Sequence, residues 1–326
     1  MKNSCSCVMC DGSPVPLTRT MTVLGKPLTV RNVECSPDGV AYSLQPPHRQ
    51  LMLTLLLTQW CPAHCPFCIA GDHSGKKHID LAQLEKVLRA LKSEDALNYI
   101  AISGGEPMSE PQLLDETLSL IYEIFGAKLM VGVTSNGMNL FKVPTLKHLM
   151  DLDRFRISRH HSDDARNRQL FSFDVPSAAE LKELISGIKA DDLFAVNCLL
   201  LRDWVGSHDA VKKQLDFVGE LGPALAAFIT PNPVNEFAKE QGVDFHKIMR
   251  FDDPDLLFTR EYHEQDTCHC RDGVAVTSSG RVVEFYGRSN RPGGEDYVRG
   301  LVYTAEDELR AGYGGQLLAS PAQEVI

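Results

Sequence analysis

Short apolar runs alternate with amphipathic segments through most of this chain. The continuous runs are typical of buried strands, and the segments between them place apolar residues at helical spacing. Strands are predicted at 51–58, 99–102, 129–133, 155–157, 193–201 and 224–230. Helices are predicted at about 80–91, 110–124, 145–150, 177–188, 209–221 and 235–250. This alternation indicates an α/β fold with a parallel sheet covered by helices, either a doubly wound sheet or a partial barrel.

The two ends of the chain follow a different pattern. Residues 1–50 carry several prolines and only short β-like runs, which predicts an irregular N-terminal extension. In residues 251–326, alternation around the turn at Ser278 to Gly280 predicts a β-hairpin. Thr304 to Asp307 has capping spacing, which predicts a final short helix. We therefore expect three parts: the extension at 1–50, the α/β part at 51–250 and a small hairpin and helix cap at 251–326.

Composition and charge narrow the class of protein. The chain has 326 residues, 43% of them hydrophobic, which is enough for one large core. A formal net charge of -10 gives no basic stripe, and this disfavours a nucleic-acid partner because phosphate contacts dominate such binding. The N-terminus lacks the apolar core of a signal peptide, and no apolar stretch approaches the roughly 20 residues that span a bilayer. We expect a cytoplasmic protein with no membrane partner.

The ten cysteines lie mostly in tight groups, which is typical of metal ligands. A disulfide framework is the weaker explanation for a chain that is not exported. Only Cys35 and Cys198 stand alone, and we interpret them as small buried hydrophobes. The groups are Cys5, Cys7 and Cys10, then Cys61, Cys65 and Cys68, then Cys268 and Cys270.

The second group lies in a loop directly after the first predicted strand. Cys61, Cys65 and Cys68 place three thiols within eight residues. Three soft ligands in a short loop can hold three irons of a 4Fe-4S cluster and leave the fourth iron open for a substrate or a cofactor. A zinc knuckle is the alternative, but a structural zinc site takes four ligands. The loop therefore predicts an iron-sulfur centre.

Polar residues follow the next predicted strands, at the edge where α/β proteins bind ligands. After the second strand, Gly104 and Gly105 allow close backbone approach, and Glu106 can accept a hydrogen bond from an ammonium group. After the third strand comes the turn Thr134 to Gly137, whose hydroxyl and amide are either ligand contacts or a simple strand ending. This edge is the predicted site.

The fourth and fifth strands add further polar candidates. Arg159 can grip a carboxylate with two hydrogen bonds. His160 and His161 are adjacent and point to opposite sides of an extended segment, so we interpret them as a solvated rim or as substrate contacts. If Asn197 faces the interior of the fifth strand, Cys198 faces the helices and only packs.

Together these motifs resemble the radical S-adenosylmethionine (SAM) superfamily. The spacing C-x3-C-x2-C with an aromatic residue before the third cysteine, the GGEP segment and the T-x-N-G turn carry the resemblance. It implies a (β/α)6 partial TIM barrel and a 4Fe-4S cluster held by Cys61, Cys65 and Cys68, with SAM on the open iron. The SAM contacts it implies are Phe67, Gly104, Gly105, Glu106, Ser135, Asn136, Ser158, Arg159 and Asn197.

The C-terminal cysteines resemble a second feature of that superfamily. Cys268 and Cys270 precede the predicted hairpin, as in the twitch or SPASM extension that carries an auxiliary cluster. The extension usually has another cysteine just after the hairpin, where this chain has Phe285 to Gly287. The missing ligands can come from Cys5, Cys7 and Cys10, since metal ligation of about 10 to 16 kcal/mol exceeds a loop-closure cost of roughly 5 kcal/mol. A zinc site and an unliganded tail remain alternatives.

The resemblance implies an enzyme that reductively cleaves SAM to the 5′-deoxyadenosyl radical and abstracts a substrate hydrogen, with a flavodoxin or ferredoxin type of protein as reductant. Modification of a ribosomal peptide is the first expectation for the substrate. The alternative is a step in small-molecule, cofactor or natural-product biosynthesis, acting on a nucleoside, sugar or amino acid. An electron-transfer protein or an iron-sulfur or zinc-binding protein without catalytic activity is the alternative from another class.

Overall fold

The structure is a computed structural model that describes residues 18–31, 34–35, 41–42, 51–70, 75–188, 190, 193–222, 224–260, 273–287, 297–298 and 300–322. Its strands are β1 (Thr18–Val23), β2 (Lys26–Arg31), β3 (Glu34–Cys35), β4 (Ala41–Tyr42), β5 (Leu51–Leu56), β6 (Leu97–Ser103), β7 (Met130–Ser135), β8 (Arg154–Ser158), β9 (Phe194–Leu199), β10 (Ala224–Ile229), β11 (Leu256–Arg260), β12 (Gly273–Thr277), β13 (Val282–Tyr286), β14 (Gly300–Tyr303), β15 (Leu309–Arg310) and β16 (Leu317–Ala319). Its α-helices are α1 (Leu81–Ser93), α2 (Pro111–Phe125), α3 (Asp164–Phe171), α4 (Ala178–Gly187), α5 (His208–Leu221), α6 (Glu236–Gln241) and α7 (Phe245–Ile248).

The main sheet has twelve strands in the order β11-β12-β13-β10-β9-β8-β7-β6-β5-β14-β15-β16. Strands β5 to β10 lie side by side in chain order, and each pairs with the next in parallel. Crossovers between parallel strands are right-handed, so an unreversed strand order puts the connecting helices on the same face of the sheet. A doubly wound sheet needs a reversal of strand order, which these six strands lack. The large parallel sheet is consistent with a partial barrel.

The two faces of this sheet differ in chemistry. One face carries Leu53, Ile100, Val131 and Phe155, which are fully buried and join the buried side of the helices in one hydrophobic core. Burial of each such side chain contributes roughly 1.5–3 kcal/mol. The alternate residues point to the opposite face. We call this second face the open face, and it includes Thr54, Tyr99, Gly132, Arg156 and Asn197.

The sequence patterns predicted several helices well and others poorly. Ser177 forms the predicted capping box with Glu180 at the start of α4. The helix predicted at 145–150 is wrong, because this crossover has two 3-10 turns, at Leu140–Thr145 and Leu149–Asp151, and Pro144 prevents a regular α-helix there. The helix predicted at 235–250 is divided into α6 and α7. Helix α3 was not predicted, since its surface is mostly polar and shows little helical periodicity.

The C-terminal part departs from the predicted cap. The hairpin of β12 and β13 is confirmed, but β13 also pairs in parallel with β10, and β14 pairs in parallel with β5. The helix predicted at Thr304 to Asp307 is wrong, because a tight turn joins β14 to β15 there. Asp307 has a φ of 60° in that turn, and its carboxylate accepts hydrogen bonds from the Asp80 N–H and the Tyr303 hydroxyl. The described C-terminal strands therefore extend both edges of the main sheet.

The N-terminal segment is more regular than predicted. Strands β1 and β2 form an antiparallel hairpin, and the Val298 N–H donates to the Thr29 carbonyl at 2.7 Å. This contact ties the hairpin to the chain that leads into β14.

A partly buried ion-pair network fixes the chain after α7. The Asp253 carboxylate accepts hydrogen bonds from His208 Nε2 at 2.6 Å, from Lys212 Nζ at 3.0 Å and from the Asp255 N–H at 2.8 Å. These donors lower the pKa of Asp253 to about 2, and the Asp255 N–H has the largest effect. The network fastens α5 to the segment that enters β11.

Candidate functional site

The cysteine loop leaves the carboxyl end of β5 and lies against α3. Cys61, Cys65 and Cys68 are half-buried and carry free thiols. At the end of the loop, the Cys68 N–H donates to the Cys65 carbonyl at 3.1 Å. In its middle, the His64 N–H donates to the carbonyl of Phe171, the last residue of α3, at 2.9 Å. The three predicted cluster ligands therefore share one short, anchored loop.

The electrostatics of these thiols fit a positively charged partner. Burial raises the pKa of the Cys61 thiol to about 11, and the neighbouring charges of Glu106 and Cys68 add to this. Burial also raises the pKa of Cys65 far above its usual range, reinforced by the other two thiols. Thiolates in this place need a nearby cation, which iron supplies. Among the described residues, no three ligand side chains are grouped closely enough to hold a single metal ion.

Two glycines bring the end of β6 onto the backbone that enters the cysteine loop. A Cβ on Gly105 would lie 2.1 Å from the carbonyl oxygen of Trp60, and one on Gly104 would lie 2.8 Å from that of Thr58. Gly104 also has a φ of 127°. The Gly105 N–H donates to the Thr58 carbonyl at 2.7 Å, and the Glu106 N–H donates to the Trp60 carbonyl at 2.9 Å. The glycines thus approach the backbone that leads into the cysteine loop, and their contact with SAM stays a prediction.

The carboxylate of Glu106 joins the loops after β6 and β7. It is 1% exposed and accepts hydrogen bonds from the Met108 N–H at 2.8 Å, the Ser135 hydroxyl at 2.6 Å and the Asn136 N–H at 2.6 Å. Burial raises the pKa of Glu106 to about 7, against these three donors, which lower it. A carboxylate has about four acceptor positions, so one remains. Contact between Glu106 and SAM stays a prediction.

Asn136 extends this network to the cluster ligands. Its side-chain N–H group lies 3.6 Å from the Cys61 sulfur, and its side-chain oxygen accepts from the Met138 N–H at 2.9 Å. The Ser135 hydroxyl accepts from the Gly137 N–H at 2.9 Å, which closes the turn. Hydrogen bonds to cysteine sulfurs tune the potential of an iron-sulfur cluster. The structure thus brings the three predicted loops together around Cys61.

The residues after β8 point elsewhere. Arg159 is 1% exposed, and its guanidinium donates to Asp164 and to two backbone carbonyls. It also lies 4.8 Å from the ring centroid of Phe217. An interaction with a SAM carboxylate would compete with these contacts. The assignments of Ser158 and Arg159 to SAM stay predictions.

The burial of His160 shows that its interpretation as part of a solvated rim is wrong. Its ring is 4% exposed, stacks on Phe171 with centroids 5.0 Å apart, and meets the edge of Phe67 at 4.9 Å. Its Nδ1 accepts from the Leu199 N–H at 3.1 Å, and burial lowers the pKa of His160 to about 3. The ring is therefore neutral and packs behind the cysteine loop. The predicted contact between Phe67 and adenine stays a prediction.

Asn197 has a side-chain oxygen that can accept a hydrogen bond from a ligand, and its contact with SAM stays a prediction. It is 9% exposed on β9, beside Ser158 on β8. Its side-chain oxygen is buried and has no hydrogen-bond partner among the described residues. A buried polar group without a partner costs roughly 1–3 kcal/mol. Cys198, next to it, faces the core and packs there as predicted.

The second cysteine set falls outside the residues that the structure describes. Cys5, Cys7 and Cys10 precede the first described strand, and Cys268 and Cys270 lie between β11 and β12. The auxiliary cluster and its ligands therefore stay predictions.

Comparison with known proteins identifies the class. Residues 55–193 match the family model of the radical SAM superfamily, and this span runs from β5 to the start of β9. Residues 55–193 are therefore identified as a radical SAM domain. The family implies a 4Fe-4S cluster and SAM, and the three-thiol loop and the buried Asn197 oxygen fit them.

Individual relatives cover part of the chain. Two curated proteins, both named probable GTP 3′,8-cyclase, are 25% identical (Pyrococcus abyssi) and 24% identical (Pyrococcus horikoshii) over 178 residues, which is 53% of this chain. The chain matches only 54% of their length. The crystal structure of Streptococcus suis SuiB bound to precursor peptide SuiA has 16% identity and a TM-score of 0.53, covering 81% of this chain and 59% of that one. This likeness shows a shared fold.

The helices were also considered as membrane spans. In the parts of the chain that the structure describes, none of the helices combines the length and apolar character that crossing a bilayer requires.

Proposed function

We propose that this enzyme holds a 4Fe-4S cluster through Cys61, Cys65 and Cys68, binds SAM at the carboxyl edge of the parallel sheet, and abstracts hydrogen from a substrate. The hydrogen-bond network from Glu106 through Asn136 to the Cys61 sulfur carries this proposal. It links the loops after β6 and β7 to a predicted cluster ligand, which supports a single cofactor site at this edge.

The chain's own residues have distinct tasks in this proposal. When bound, the reduced cluster and SAM supply the radical that takes the hydrogen. Asn136 donates toward Cys61, and Gly104 and Gly105 hold the cysteine loop against β6. The unpartnered oxygen of Asn197 accepts from SAM. Fixed placement matters because an error of about 1 Å can cost on the order of 100-fold in rate.

The test is reductive cleavage of SAM by anaerobically reconstituted protein. With dithionite, the wild type should form 5′-deoxyadenosine, and Cys65→Ala should form none because one iron loses its ligand. Cys198→Ala is the matched control, since this thiol is buried in the core and its loss should leave iron content and product unchanged. Absence of product from fully loaded wild type would refute the proposal and favour the electron-transfer or zinc-binding alternatives.

For the substrate, we propose a ribosomal peptide. A cavity of about 900 Å³ borders the open face and reaches the end of the cysteine loop at Ile69. Its other walls include Thr54 on β5, Val302 on β14 and Leu28 on β2. This volume accommodates several amino-acid residues, and the fold is shared with an enzyme crystallised with its precursor peptide.

The name of the curated relatives favours a nucleotide as the alternative. Incubation of loaded enzyme with GTP, SAM and reductant distinguishes the two classes. GTP consumption that depends on Cys65 would replace the peptide proposal, whereas unchanged GTP would support it.

We also retain the auxiliary cluster as a proposal. Its test is the iron count of the reconstituted full chain, with about eight irons expected for two clusters and about four for one. Replacement of Cys268 and Cys270 by Ala should lower the count by about four only if the second cluster exists.

A further inference from the structure

The open face of the sheet carries an arginine that the SAM site does not use. The side chains of Arg156 on β8 and Tyr99 on β6 point away from the helices, and Gly132 on β7 lies between them on the same face. Their neighbours on the other face, such as Phe155 and Ile100, are fully buried in the core. A charged side chain on this side of the sheet therefore needs a separate explanation.

Arg156 is built into a specific contact. Its Nη1 donates to the Tyr99 hydroxyl oxygen at 2.7 Å, and its guanidinium carbon lies 6.0 Å from the centroid of the Tyr99 ring. Gly132 makes this possible, because a Cβ there would lie 2.2 Å from the Tyr99 oxygen and 2.6 Å from Arg156 Nη1. The absence of a side chain on β7 leaves room for the arginine and tyrosine to meet.

The charge of Arg156 has no partner within ion-pair distance in the described residues. Burial disfavours its charged form, but Tyr99, Tyr286 and Glu284 outweigh this and raise the pKa of Arg156. Glu284 instead accepts from the Tyr286 hydroxyl at 2.7 Å. Within the described residues, the remaining guanidinium N–H groups and the Tyr99 O–H donate to no acceptor.

The position of this pair matches that of a substrate. Ser158 pairs with Asn197 and Arg156 pairs with Ala195, so Arg156 lies two residues, or about 7 Å, below the edge assigned to SAM. Tyr99 pairs with Met52, which lines the 900 Å³ cavity. A group bound here would lie on the open face, which the cavity borders at Met52.

We infer that Arg156 and Tyr99 form a subsite for a carboxylate of the substrate. A planar carboxylate can take two parallel hydrogen bonds from a guanidinium and a third from the phenol. The nearby carboxylate of Glu284 repels a doubly charged phosphate more strongly than a singly charged carboxylate, so the site favours the carboxylate. This inference rests on the proposed function, since it assigns the substrate of that same site, and it extends the proposal to a peptide with an acidic side chain or a free C-terminus at the reacting position.

The test uses bromide as an anion probe in crystals of the reconstituted holoenzyme with SAM. An anomalous peak is expected at hydrogen-bond distance from the Arg156 guanidinium in the wild type. Acetate should displace it, while acetamide, the neutral isostere, should not. The peak should be lost in Arg156→Gln and weakened in Tyr99→Phe, which keeps the charge. Arg154→Gln is the matched control, because it removes the same charge two residues away on β8 and should keep the peak.

Each result decides the inference. No peak in the wild type, or a peak that persists in Arg156→Gln, overturns it. Displacement by inorganic phosphate at lower concentration than acetate overturns the choice of carboxylate. Substrate-free formation of 5′-deoxyadenosine is measured on the same preparations and should be unchanged in Arg156→Gln. Its loss in that variant alone would make Arg156 part of the SAM site and overturn the inference, whereas its absence in the wild type refutes only the proposed function.

Discussion

Replacement of Glu106 by Gln tests whether this carboxylate organises the cofactor loops. One carboxylate oxygen accepts from the Met108 N–H and the Ser135 hydroxyl, and the other accepts from the Asn136 N–H. Glutamine offers one acceptor oxygen only. In its better orientation it keeps the first two bonds and turns its NH₂ group toward the Asn136 N–H, so two donors face each other where 2.6 Å now separates donor and acceptor.

The expected cost follows from that unsatisfied donor. A buried N–H group without a partner costs about 1–3 kcal/mol, so Glu106→Gln should lower the free energy of unfolding by about that amount. Urea unfolding of the metal-free protein, followed by circular dichroism, measures this difference in the free energy of unfolding. In the holoenzyme, displacement of Asn136 should also weaken its contact with Cys61 and reduce the iron content.

A neighbouring glutamate provides the control. Glu110 is exposed and its side chain makes no capping hydrogen bond at the start of α2. Glu110→Gln should therefore change the unfolding free energy by less than about 0.5 kcal/mol. If Glu106→Gln proves as stable as Glu110→Gln, the carboxylate does not hold the two loops and the proposed organisation of the site is wrong.

Further predictions concern the cluster contact, a close approach and the buried ion pair. Asn136→Asp places a negative charge beside the Cys61 thiolate, so iron and sulfide per chain should fall after reconstitution while circular dichroism stays unchanged. Gly105→Ala forces a Cβ onto backbone and should lower the unfolding free energy by about 1–3 kcal/mol, whereas Gly187→Ala, where nothing lies within 4 Å of the added Cβ, should not destabilise. The pKa of Asp253 is lowered to about 2, so its stabilising effect is present above pH 4 and is lost as the pH falls toward 2. Urea midpoints of wild type and Asp253→Asn should therefore converge over that range, and a constant difference would contradict the assignment.

The sequence predicted the six parallel strands because their apolar runs are local signals, and the strands from Leu51–Leu56 to Ala224–Ile229 follow those runs closely. The grouping of Cys61, Cys65 and Cys68 is a local signal too, and it predicts the cluster loop. The places of β13 and β14 in the main sheet could not be predicted, since pairing between residues far apart in the chain leaves no periodicity. Helix α3 could not be predicted because its surface is mostly polar and its few apolar residues show little helical periodicity.

The contact partners of individual side chains also could not be predicted from the sequence. The GGEP segment indicated a ligand site. Two of the hydrogen bonds of Glu106, however, come from donors at and just after the end of β7, about 30 residues later. His160 looked solvated because its burial comes from Phe67 and Phe171, which belong to two other elements. Arg156 gave no signal, since an arginine in a short strand is equally compatible with a surface position.

The pairing of β14 with β5 has a consequence during synthesis. Residues Leu51–Leu56 leave the ribosome roughly 240 residues before Gly300–Tyr303, the strand that covers their outer edge. At about 5–20 residues per second, that edge stays uncovered for roughly 12–50 s while the residues in between are translated. An apolar, unpaired edge is a template for association with other chains. The nascent protein therefore passes through an aggregation-prone interval that lasts until β14 is made, and slower translation lengthens it.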